Sequence, residues 1–531
     1  MKNTFFFVLI CSFVIPTSLS AQKAPPQNWF HLDKKANKYP GVSSDKVHQT
    51  LLKGKSGKQV VVAVIDGGTD VNHEDLKDII WVNTKEIPGN GIDDDRNGYV
   101  DDINGWSFIG GKDSDVVEDT YEVTRMYAML KPRFEKADTN SFNAATKKEY
   151  KLYQEVAKEF KAKYTQSSKS YEIMGAWGKM MESVKKESQS AEPTTDQVMA
   201  YIPKSPTETF AKETLVKLMK KGAKFSSLQK DLEGAREHYA KGTLYSYNMD
   251  FNPRTMIGDN YNDPNECCYG NNRVSGPKGE HGTHVAGIIA GIRDNGKGMN
   301  GVASNVRIMV LRVVPDGDER DKDVANAIRY AADNGASIIN MSFGKAYSPY
   351  KDAVDQAVRY AEQKDVLIVH AAGNDNKDTD NENNYPRDRF TDNGQYASNW
   401  IEVGASSWEK KKKLRAAPFS NYGKVNVDVF APGVAIYSTL PENTYGSYNG
   451  TSMAAPVTAG VAAIIRSYYP SLSAAQVKTL LMQSVDPVKS KVVLPGSKKT
   501  KVKMTDLCIS GGVINAYNAV LLAEQQNGSR Q

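Results

Sequence analysis

The chain has few cysteines and little excess charge, and both shortages narrow the kinds of protein it can be. Four cysteines among 531 residues are too few for a disulfide scaffold. Basic residues outnumber acidic ones only slightly, 68 against 62, so charge gives no reason to expect nucleic acid as a partner. Beyond the N-terminus, no apolar run is long enough to cross a bilayer. The composition, 40% hydrophobic, is that of a globular protein.

Residues 1–21 have the composition of an export signal. Lys2 is followed by the short apolar run FFFVLICSFVIP, and TSLSAQ then offers small residues for cleavage. Cys11 lies inside the apolar run without small residues before it, which argues against a lipid anchor. We therefore expect a secreted or periplasmic protein that begins with an N-terminal segment at 22–50 and has no transmembrane segment in its mature form.

Removal of this signal leaves three cysteines, Cys267, Cys268 and Cys508. In an oxidising compartment, one of the adjacent pair could bridge to Cys508 and leave one thiol free. Three unpaired cysteines are the alternative, and the sequence does not choose between the two.

Four apolar, β-branched runs indicate strands that are buried on both faces. They are QVVVAVID (59–66), VRIMVLRVV (306–314), ASIINMS (336–342) and DVLIVHAAGN (365–374). Helical patterns at 323–336 and 350–363 separate the later runs. This alternation predicts an α/β fold with a mostly parallel sheet and helices on both faces. Function gathers beyond the C-terminal ends of such strands, where Asp66 and Asn374 lie.

The region from 111 to 265 has a different pattern. It lacks β-branched runs and repeats apolar residues at helical spacing in the stretches 150–164, 171–184 and 226–240. We expect an α-helical subdomain whose apolar stripes pack on each other or on the sheet. A substrate-selecting or regulatory lobe is the alternative.

One serine, Ser452, lies among small residues in YNGTSMAAPVTAG, at the predicted start of an apolar helix. A helix start presents unpaired N–H groups and the positive end of the helix dipole, which both favour developing negative charge. Pro456 is tolerated only in the first turn of a helix, which places the start near Ser452. Such a serine is either a nucleophile or an ordinary helix cap.

A nucleophilic serine needs a general base, and the base needs a carboxylate to orient it. The stretch GEHGTHVAG supplies His281 and His284, and Asp66 ends the first predicted strand. Asn374 offers an amide that can bind an oxyanion. The spacing of the two histidines would also suit a metal, but no third ligand lies nearby in the sequence.

The ordered set of motifs resembles the subtilisin-like serine proteases, or subtilases. The matching stretches are VAVIDGGTDVNHEDL, HGTHVAGIIA, INMSFG, AAGN, FSNYG, VDVFAPG and NGTSMAAPVTAG. The resemblance implies a seven-stranded, mostly parallel sheet in a catalytic domain at 51–110 and 266–525, interrupted by a helical insertion at 111–265. It also implies a serine endopeptidase that acts on protein or peptide substrates.

The resemblance implies a role for four residues. Ser452 is the nucleophile, His281 is the general base and then the acid, and Asp66 orients the imidazole. Asn374 donates to the oxyanion together with the backbone N–H of Ser452.

The resemblance further implies that an extended peptide pairs with the edge formed by Ser342, Phe343 and Gly344, which border the specificity pocket. His284 and His73 become structural residues.

The sequence departs from the family pattern at three points. Gly67 replaces a small hydroxyl residue and removes one expected hydrogen bond to Asp66. The helical insertion separates Asp66 from His281, and we hypothesise that it shields the cleft. The segment between the signal and Asp66 is too short for an independently folded inhibitory pro-domain.

The stretch DDDRNGYVDDIN (93–104) predicts a calcium loop. Oxygen ligands fall at the spacing of an EF-hand loop: Asp93, Asp95, Asn97, the carbonyl of Tyr99, and Asp101. The twelfth position is Asn104 rather than a bidentate glutamate, and an ordinary acidic turn is the alternative. We favour Ca²⁺, with a structural role, because such closely spaced carboxylates repel each other without a cation.

Two alternatives to a general protease stay open. A degenerate protease fold would bind peptides without cleaving them, although the presence of all four site residues argues against it. A maturation protease with a narrow target is the other alternative, because a helical insertion restricts access to the cleft.

Overall fold

The computed structural model of the protein describes residues 24–409 and 415–528. The predicted export signal lies outside these ranges. Within them, no helix is both long and apolar enough to span a membrane. The helices are α1 (Ser44–Gln49), α2 (Glu122–Phe134), α3 (Ala144–Ser188), α4 (Thr195–Ala200), α5 (Pro206–Met219), α6 (Phe225–Lys241), α7 (Glu280–Ala290), α8 (Asp321–Asp333), α9 (Lys351–Gln363), α10 (Thr451–Tyr468), α11 (Ala474–Gln483) and α12 (Ala516–Gly528).

The strands include the four that the apolar runs predict and several shorter ones. They are β1 (Val60–Asp66), β2 (Gly105–Ser107), β3 (Val306–Arg312), β4 (Ile338–Met341), β5 (Leu367–Ala371), β6 (Trp400–Ser406), β7 (Val429–Pro432), β8 (Ile436–Leu440), β9 (Thr444–Tyr448), β10 (Asp486–Pro487), β11 (Val492–Val493), β12 (Lys501–Val502) and β13 (Gly512–Val513).

One sheet dominates the fold, with the strand order β10-β13-β7-β6-β5-β4-β1-β3-β2. All neighbouring strands are parallel except β10 and β13. The predicted α/β class with a mostly parallel sheet is therefore confirmed. The expected seven strands are wrong, since the sheet has nine strands within the residues that the structure describes. The edge strands β2 and β10, and β13 beside β10, contain only two or three residues each, too few to give a periodic signal.

Helices cover both faces of the sheet, and β1 shows why its sequence is a continuous apolar run. Val60, Val62 and Val64 pack with residues of α7 and α10 in one buried cluster. Ala63 and Ile65 point to the other face and pack with α8 and α9. Because neither face meets water, every position of β1 favours an apolar side chain.

The helical region differs from its prediction at one helix. The stretches 150–164 and 171–184 belong to a single helix, α3, of 45 residues, about 68 Å long at 1.5 Å per residue. No glycine or proline interrupts the sequence between the two stretches, and Ser167 and Ser170 are buried there. Helix α2 packs on the first half of α3, and α4 to α6 pack on the second.

The chain leaves the sheet for this region and returns to it at one point. Ser107 and Asn271 exchange two backbone hydrogen bonds, of 2.8 and 3.0 Å. Ser107 ends β2, the last strand of the sheet, so the helices emerge at a sheet edge. The boundaries 111 and 265 of the insertion remain a prediction.

The N-terminal segment belongs to the core of the sheet domain. Trp29 and Phe30 are buried in the same cluster as β1 and α10. The indole N–H of Trp29 donates to the carbonyl oxygens of Val434 and Ala435, both at 3.1 Å. This segment therefore packs as part of the sheet domain.

Candidate active site

The predicted catalytic residues lie at the C-terminal ends of parallel strands or at the N-termini of helices that pack on those strands. Asp66 is the last residue of β1, and Asn374 follows β5 by three residues. His281 lies in the first turn of α7, and Ser452 is the second residue of α10. Both helices pack against the face of β1 that carries Val64, so their N-termini converge beyond the end of this strand.

Asp66 and His281 are in direct contact. The Nδ1 atom of His281 lies 2.9 Å from both carboxylate oxygens of Asp66. An N–H at Nδ1 donates to the carboxylate, so Nε2 is left as the basic nitrogen. Burial opposes protonation of the imidazole, but the Asp66 charge outweighs it and raises the pKa of His281 above its ordinary value.

A glycine permits this contact. Gly282 follows His281 in α7, and a Cβ placed on it would lie 2.1 Å from the carbonyl oxygen of Gly68 and 3.2 Å from Cβ of Asp66. Any larger residue would push α7 away from the end of β1. The backbone N–H of Gly67 donates to Oδ1 of Asp66 at 2.7 Å, so the glycine that departs from the family pattern still supports the carboxylate.

Ser452 is held by a reciprocal pair of hydrogen bonds with Ser342. Its hydroxyl donates to the carbonyl oxygen of Ser342 at 3.1 Å, and the Ser342 hydroxyl donates to the carbonyl oxygen of Ser452 at 2.9 Å. Pro456 explains the second bond. It is the sixth residue of α10, outside the expected first turn, and it lacks the N–H that would otherwise bond the Ser452 carbonyl.

Asn374 is oriented by the start of α10. Its side-chain oxygen accepts hydrogen bonds from the backbone N–H of Thr451 at 2.8 Å and from the Thr451 hydroxyl at 3.1 Å. A backbone N–H can only donate, so the amide NH₂ of Asn374 must face the other way. A Cβ placed on Gly450 would lie 3.5 Å from the backbone N of Ser452 and 3.6 Å from Nδ2 of Asn374. Two N–H donors therefore border the same small space beside Ser452.

The three predicted substrate-binding residues differ in what they offer. Ser342 is buried, and its hydroxyl is committed to α10. The Phe343 carbonyl accepts from Nε2 of His370 at 2.8 Å. Gly344 is exposed, and among the described residues we find no hydrogen bond to its backbone. A Cβ on Gly344 would lie 2.6 Å from Oδ1 of Asn384, a neighbour that sequence reasoning missed.

Sequence comparisons decide the family. A model with the description "Subtilase family" matches residues 57–507, most of the chain. The chain belongs to the subtilase family. It is 42% identical over 203 residues to Subtilisin DY of Bacillus licheniformis, covering 38% of this chain and 68% of that protein. Over 241 residues, it is 37% identical to Thermitase of Thermoactinomyces vulgaris, covering 45% and 74%. This subtilase is therefore a serine endopeptidase, a hydrolase of peptide bonds.

The other two histidines singled out in the sequence of this subtilase bond to backbone groups. Nε2 of His284 lies 3.2 Å from the carbonyl oxygen of Gly446, and burial lowers the pKa of His284 to about 4. His73 accepts the N–H of Asp75 and lies 3.3 Å from the carbonyl oxygen of Thr444. Both contacts fit structural roles.

The acidic loop of the subtilase brings together a set of residues that differs from the predicted one. Glu86, Asp93 and Asp95 offer carboxylate oxygens within 4.8 Å of one another. Sequence reasoning missed Glu86 because it lies outside the loop motif. Asp101 is not part of the cluster, and its carboxylate accepts from the N–H groups of Gly89 and Gly91.

The two remaining predicted ligands lie within the same loop. Asn97 accepts from the N–H of Tyr99 through its side-chain oxygen, at 2.8 Å, and its side-chain NH₂ donates to Asp102. This bonding draws the Asn97 oxygen toward the loop backbone. Asp93 and Asp95 are the predicted carboxylates that come together, and the wider EF-hand ligand set stays a prediction.

A buried ion-pair network links the helical region to the substrate edge. Lys345, one residue after Gly344, is buried, and its ammonium contacts Glu122 at 2.7 Å and Asp321 at 2.8 Å. Glu122 begins α2. Burial disfavours the ammonium, but Asp321 and Glu122 raise the pKa of Lys345 above its ordinary value. Sequence reasoning missed this network because nothing in a single charged residue reveals its distant partner.

The Glu122 carboxylate makes the stability of the fold depend on pH. Burial alone would raise the pKa of Glu122, but Arg125 and Lys345 lower it to about 2 from 4.5. A carboxylate whose pKa is lower in the folded chain stabilises that chain above its unfolded pKa. This stabilisation is therefore complete above pH 4.5 and is lost as the pH falls toward 2.

We expect Lys345→Met to lower the free energy of unfolding by about 3–5 kcal/mol. The substitution leaves Asp321 as a buried carboxylate without its cation and removes one of the two cations that face Glu122. Urea unfolding of both chains measures the difference. Lys131→Met is the matched control, because the Lys131 pair with Glu135 is exposed and contributes less than about 1 kcal/mol. Equal losses in the two variants would contradict the role of the network.

Proposed function

We propose that this subtilase hydrolyses peptide bonds through a triad of Ser452, His281 and Asp66. The observation that carries the proposal is the contact of Asp66 with Nδ1 of His281 at 2.9 Å, which leaves Nε2 free to accept a proton. Ser452 lies at the start of α10, whose dipole and N–H groups favour negative charge.

In the proposed reaction, the Ser452 hydroxyl turns from the Ser342 carbonyl to Nε2 of His281, which takes its proton as the oxygen attacks the substrate carbonyl. Catalytic hydrogen bonds of this kind often form only once substrate is bound. The negative oxygen that develops is stabilised by the backbone N–H of Ser452 and the NH₂ of Asn374. Protonated His281 then gives its proton to the leaving amine.

Substrate binding is proposed along the strand that follows β4. The unpaired backbone of Gly344 can bond an extended peptide in the manner of an added strand. A cavity of about 700 Å³, lined in part by His281 and Tyr448, has room for the leaving-group side of the substrate.

The proposed specificity pocket is shallower than the absence of a side chain at Gly344 suggests. The Asn384 amide lies against Gly344, and its NH₂ donates to the carbonyl oxygens of Ala371 and Ala372 at 3.3 and 3.1 Å. These bonds fix the amide between β5 and the substrate edge, so it reduces the depth available to a substrate side chain.

Hydrolysis of a denatured protein by the wild-type chain, and its loss in the Ser452→Ala chain, tests the proposed function. Binding of the denatured protein without cleavage by the wild-type chain would instead support a degenerate protease fold. A narrow cleavage pattern on a peptide library would support a maturation protease.

We further propose that the acidic loop binds Ca²⁺ through Glu86, Asp93 and Asp95. Ca²⁺ lies 2.3–2.6 Å from its oxygen ligands, so two ligands of one ion are at most about 5 Å apart, which fits the observed cluster. The Glu86 carboxylate is held by the N–H groups of Asp95 and Asp101 at 3.0 Å each. The proposed role is to stabilise the fold.

Removal of Ca²⁺ by a chelator is expected to lower the melting temperature at low salt. At a free Ca²⁺ concentration a hundred times the Kd, binding stabilises the fold by about 2.7 kcal/mol. Thermal unfolding with and without chelator measures the shift. Asp95→Asn should abolish the response, whereas Asp94→Asn should retain it, since the Asp94 side chain bonds Ile87 and Asn90 instead. A melting temperature that the chelator leaves unchanged would contradict the proposed calcium site.

We also infer that the protein is exported to a secreted or periplasmic location. The signal-like composition of residues 1–21 supports this inference.

A further inference from the structure

The three cysteines that follow the predicted signal lie at opposite edges of the sheet. Cys508 is buried in a cluster with Phe430 of β7 and Val513 of β13, whereas Cys267 and Cys268 are exposed near β2. Seven steps of about 4.8 Å separate β13 from β2 in the sheet order. This distance excludes a bridge between the pair and Cys508 in the folded chain, because bridged Cα atoms lie within about 7 Å.

We propose that Cys267 and Cys268 form a reversible disulfide with each other. One thiolate attacks a sulfur of an oxidant of the disulfide class, either a small molecule or a protein, and releases the first thiol of the oxidant. The second cysteine then displaces the other oxidant thiol from the mixed disulfide. The two cysteines together lose two protons and two electrons, and the oxidant disulfide is reduced to two thiols.

The thiols are positioned for this reaction. The two cysteines are adjacent in the chain, and both side chains are exposed to an oxidant. The backbone on each side is fixed. The Glu266 carbonyl accepts from Asn326 at 2.8 Å, and the Tyr269 carbonyl accepts from the indole of Trp106 at 2.7 Å. Closing the bond therefore orders little additional backbone.

Covalent geometry makes such a bond reversible. Adjacent Cα atoms are about 3.8 Å apart across a trans peptide, closer than the roughly 4.4–6.8 Å of ordinary disulfides. The resulting ring is strained, and strained, exposed disulfides are reduced easily. We therefore expect a bond that responds to the thiol–disulfide balance around the protein.

The pair contacts the acidic loop. A Cβ placed on Gly98 would lie 2.6 Å from Sγ of Cys268, so this sulfur packs directly on the loop backbone. Bond formation draws the Cys268 sulfur toward Cys267 and changes this contact. The redox state of the pair is thereby transmitted to the loop that includes Asp93 and Asp95.

The test uses the folded full chain with Ser452→Ala, so that self-digestion does not add further peptides to those analysed by mass spectrometry. The protein is equilibrated in glutathione buffers of graded composition, acid-quenched, alkylated and digested without reductant. In oxidising buffer, mass spectrometry should find the peptide with both cysteines lighter by two hydrogen atoms and unalkylated. In reducing buffer, the same peptide should carry two alkyl groups.

Single-site variants provide the controls. Cys268→Ser should leave Cys267 as a stable mixed disulfide with glutathione in the oxidising buffer, because the resolving thiol is gone. Cys508→Ser should leave ring formation unchanged. The proposal is overturned by a lasting glutathione adduct on the unmodified pair, by a cross-link to Cys508 or to a second chain, or by two alkyl groups in every buffer.

Discussion

Replacing Ser452 by alanine is expected to lower kcat for peptide hydrolysis on the order of a million-fold. The substitution removes the attacking oxygen and leaves the remaining donors in place. The bonds from Thr451 to Asn374 do not involve the serine side chain, so the start of α10 keeps its geometry. Initial rates on a denatured protein or a chromogenic peptide measure the loss.

Ser447→Ala is the matched control for this substitution. Ser447 is exposed in β9, five residues before Ser452, and its replacement should leave kcat unchanged. A Ser452→Ala chain that retains a tenth of the wild-type rate would show that another group supplies the nucleophile.

Asp66→Asn is expected to lower kcat on the order of ten-thousand-fold. The N–H of Gly67 holds Oδ1 of residue 66, so the amide NH₂ of the asparagine would face His281. An NH₂ can only donate to Nδ1, and the imidazole proton is then placed on Nε2. In this tautomer, His281 cannot take the proton of Ser452. Rates per active site on the same peptide measure the effect.

The pH profile distinguishes this effect from a general loss of structure. Hydrolysis requires neutral His281, so the rate rises with pH through its pKa, which Asp66 raises. A neutral asparagine removes that influence, and the midpoint of the acidic limb should move to lower pH. Asp70→Asn is the control, since the Asp70 carboxylate bonds the N–H groups of Asn72 and Glu442. An acidic limb that does not move in Asp66→Asn would contradict the proposed orienting role.

The central strands and the contact of Asp66 with His281 could be predicted from the sequence because local signals encode them. A strand buried on both faces needs an apolar residue at every position, and β1 shows that pattern. Short motifs with many glycines mark positions where backbones approach closely, as at Gly282 beside Asp66. The order of these motifs along the chain then identified the family.

The features that the sequence did not predict depend on distant contacts. Glu86 joins the acidic cluster from outside the loop motif, whereas Asp101 lies outside the cluster. The edge strands of two or three residues exist only because neighbouring strands provide hydrogen-bond partners. The pairing of Glu122 with Lys345 joins residues whose separation in the chain gives no local pattern.

Both ends of the helical region are anchored in the N-terminus of α8 by buried charges. At the entrance, Lys345 joins Glu122 to Asp321. At the exit, Arg254 contacts Asp323 at 2.7 Å, and Asp259 contacts Lys322 at 2.5 Å. The Asp321–Lys322–Asp323 triplet is buried, so each of its charges is compensated by residues outside α8.

The helical region is consequently not an interchangeable module. Excising it would remove Arg254 from the buried Asp323 and Asp259 from the buried Lys322. Inactivity of a truncated chain would therefore report misfolding as readily as an altered cleft. Grafting it onto another protease scaffold would require the recipient to acquire the acidic and basic residues at 321–323, together with Lys345, in the same step.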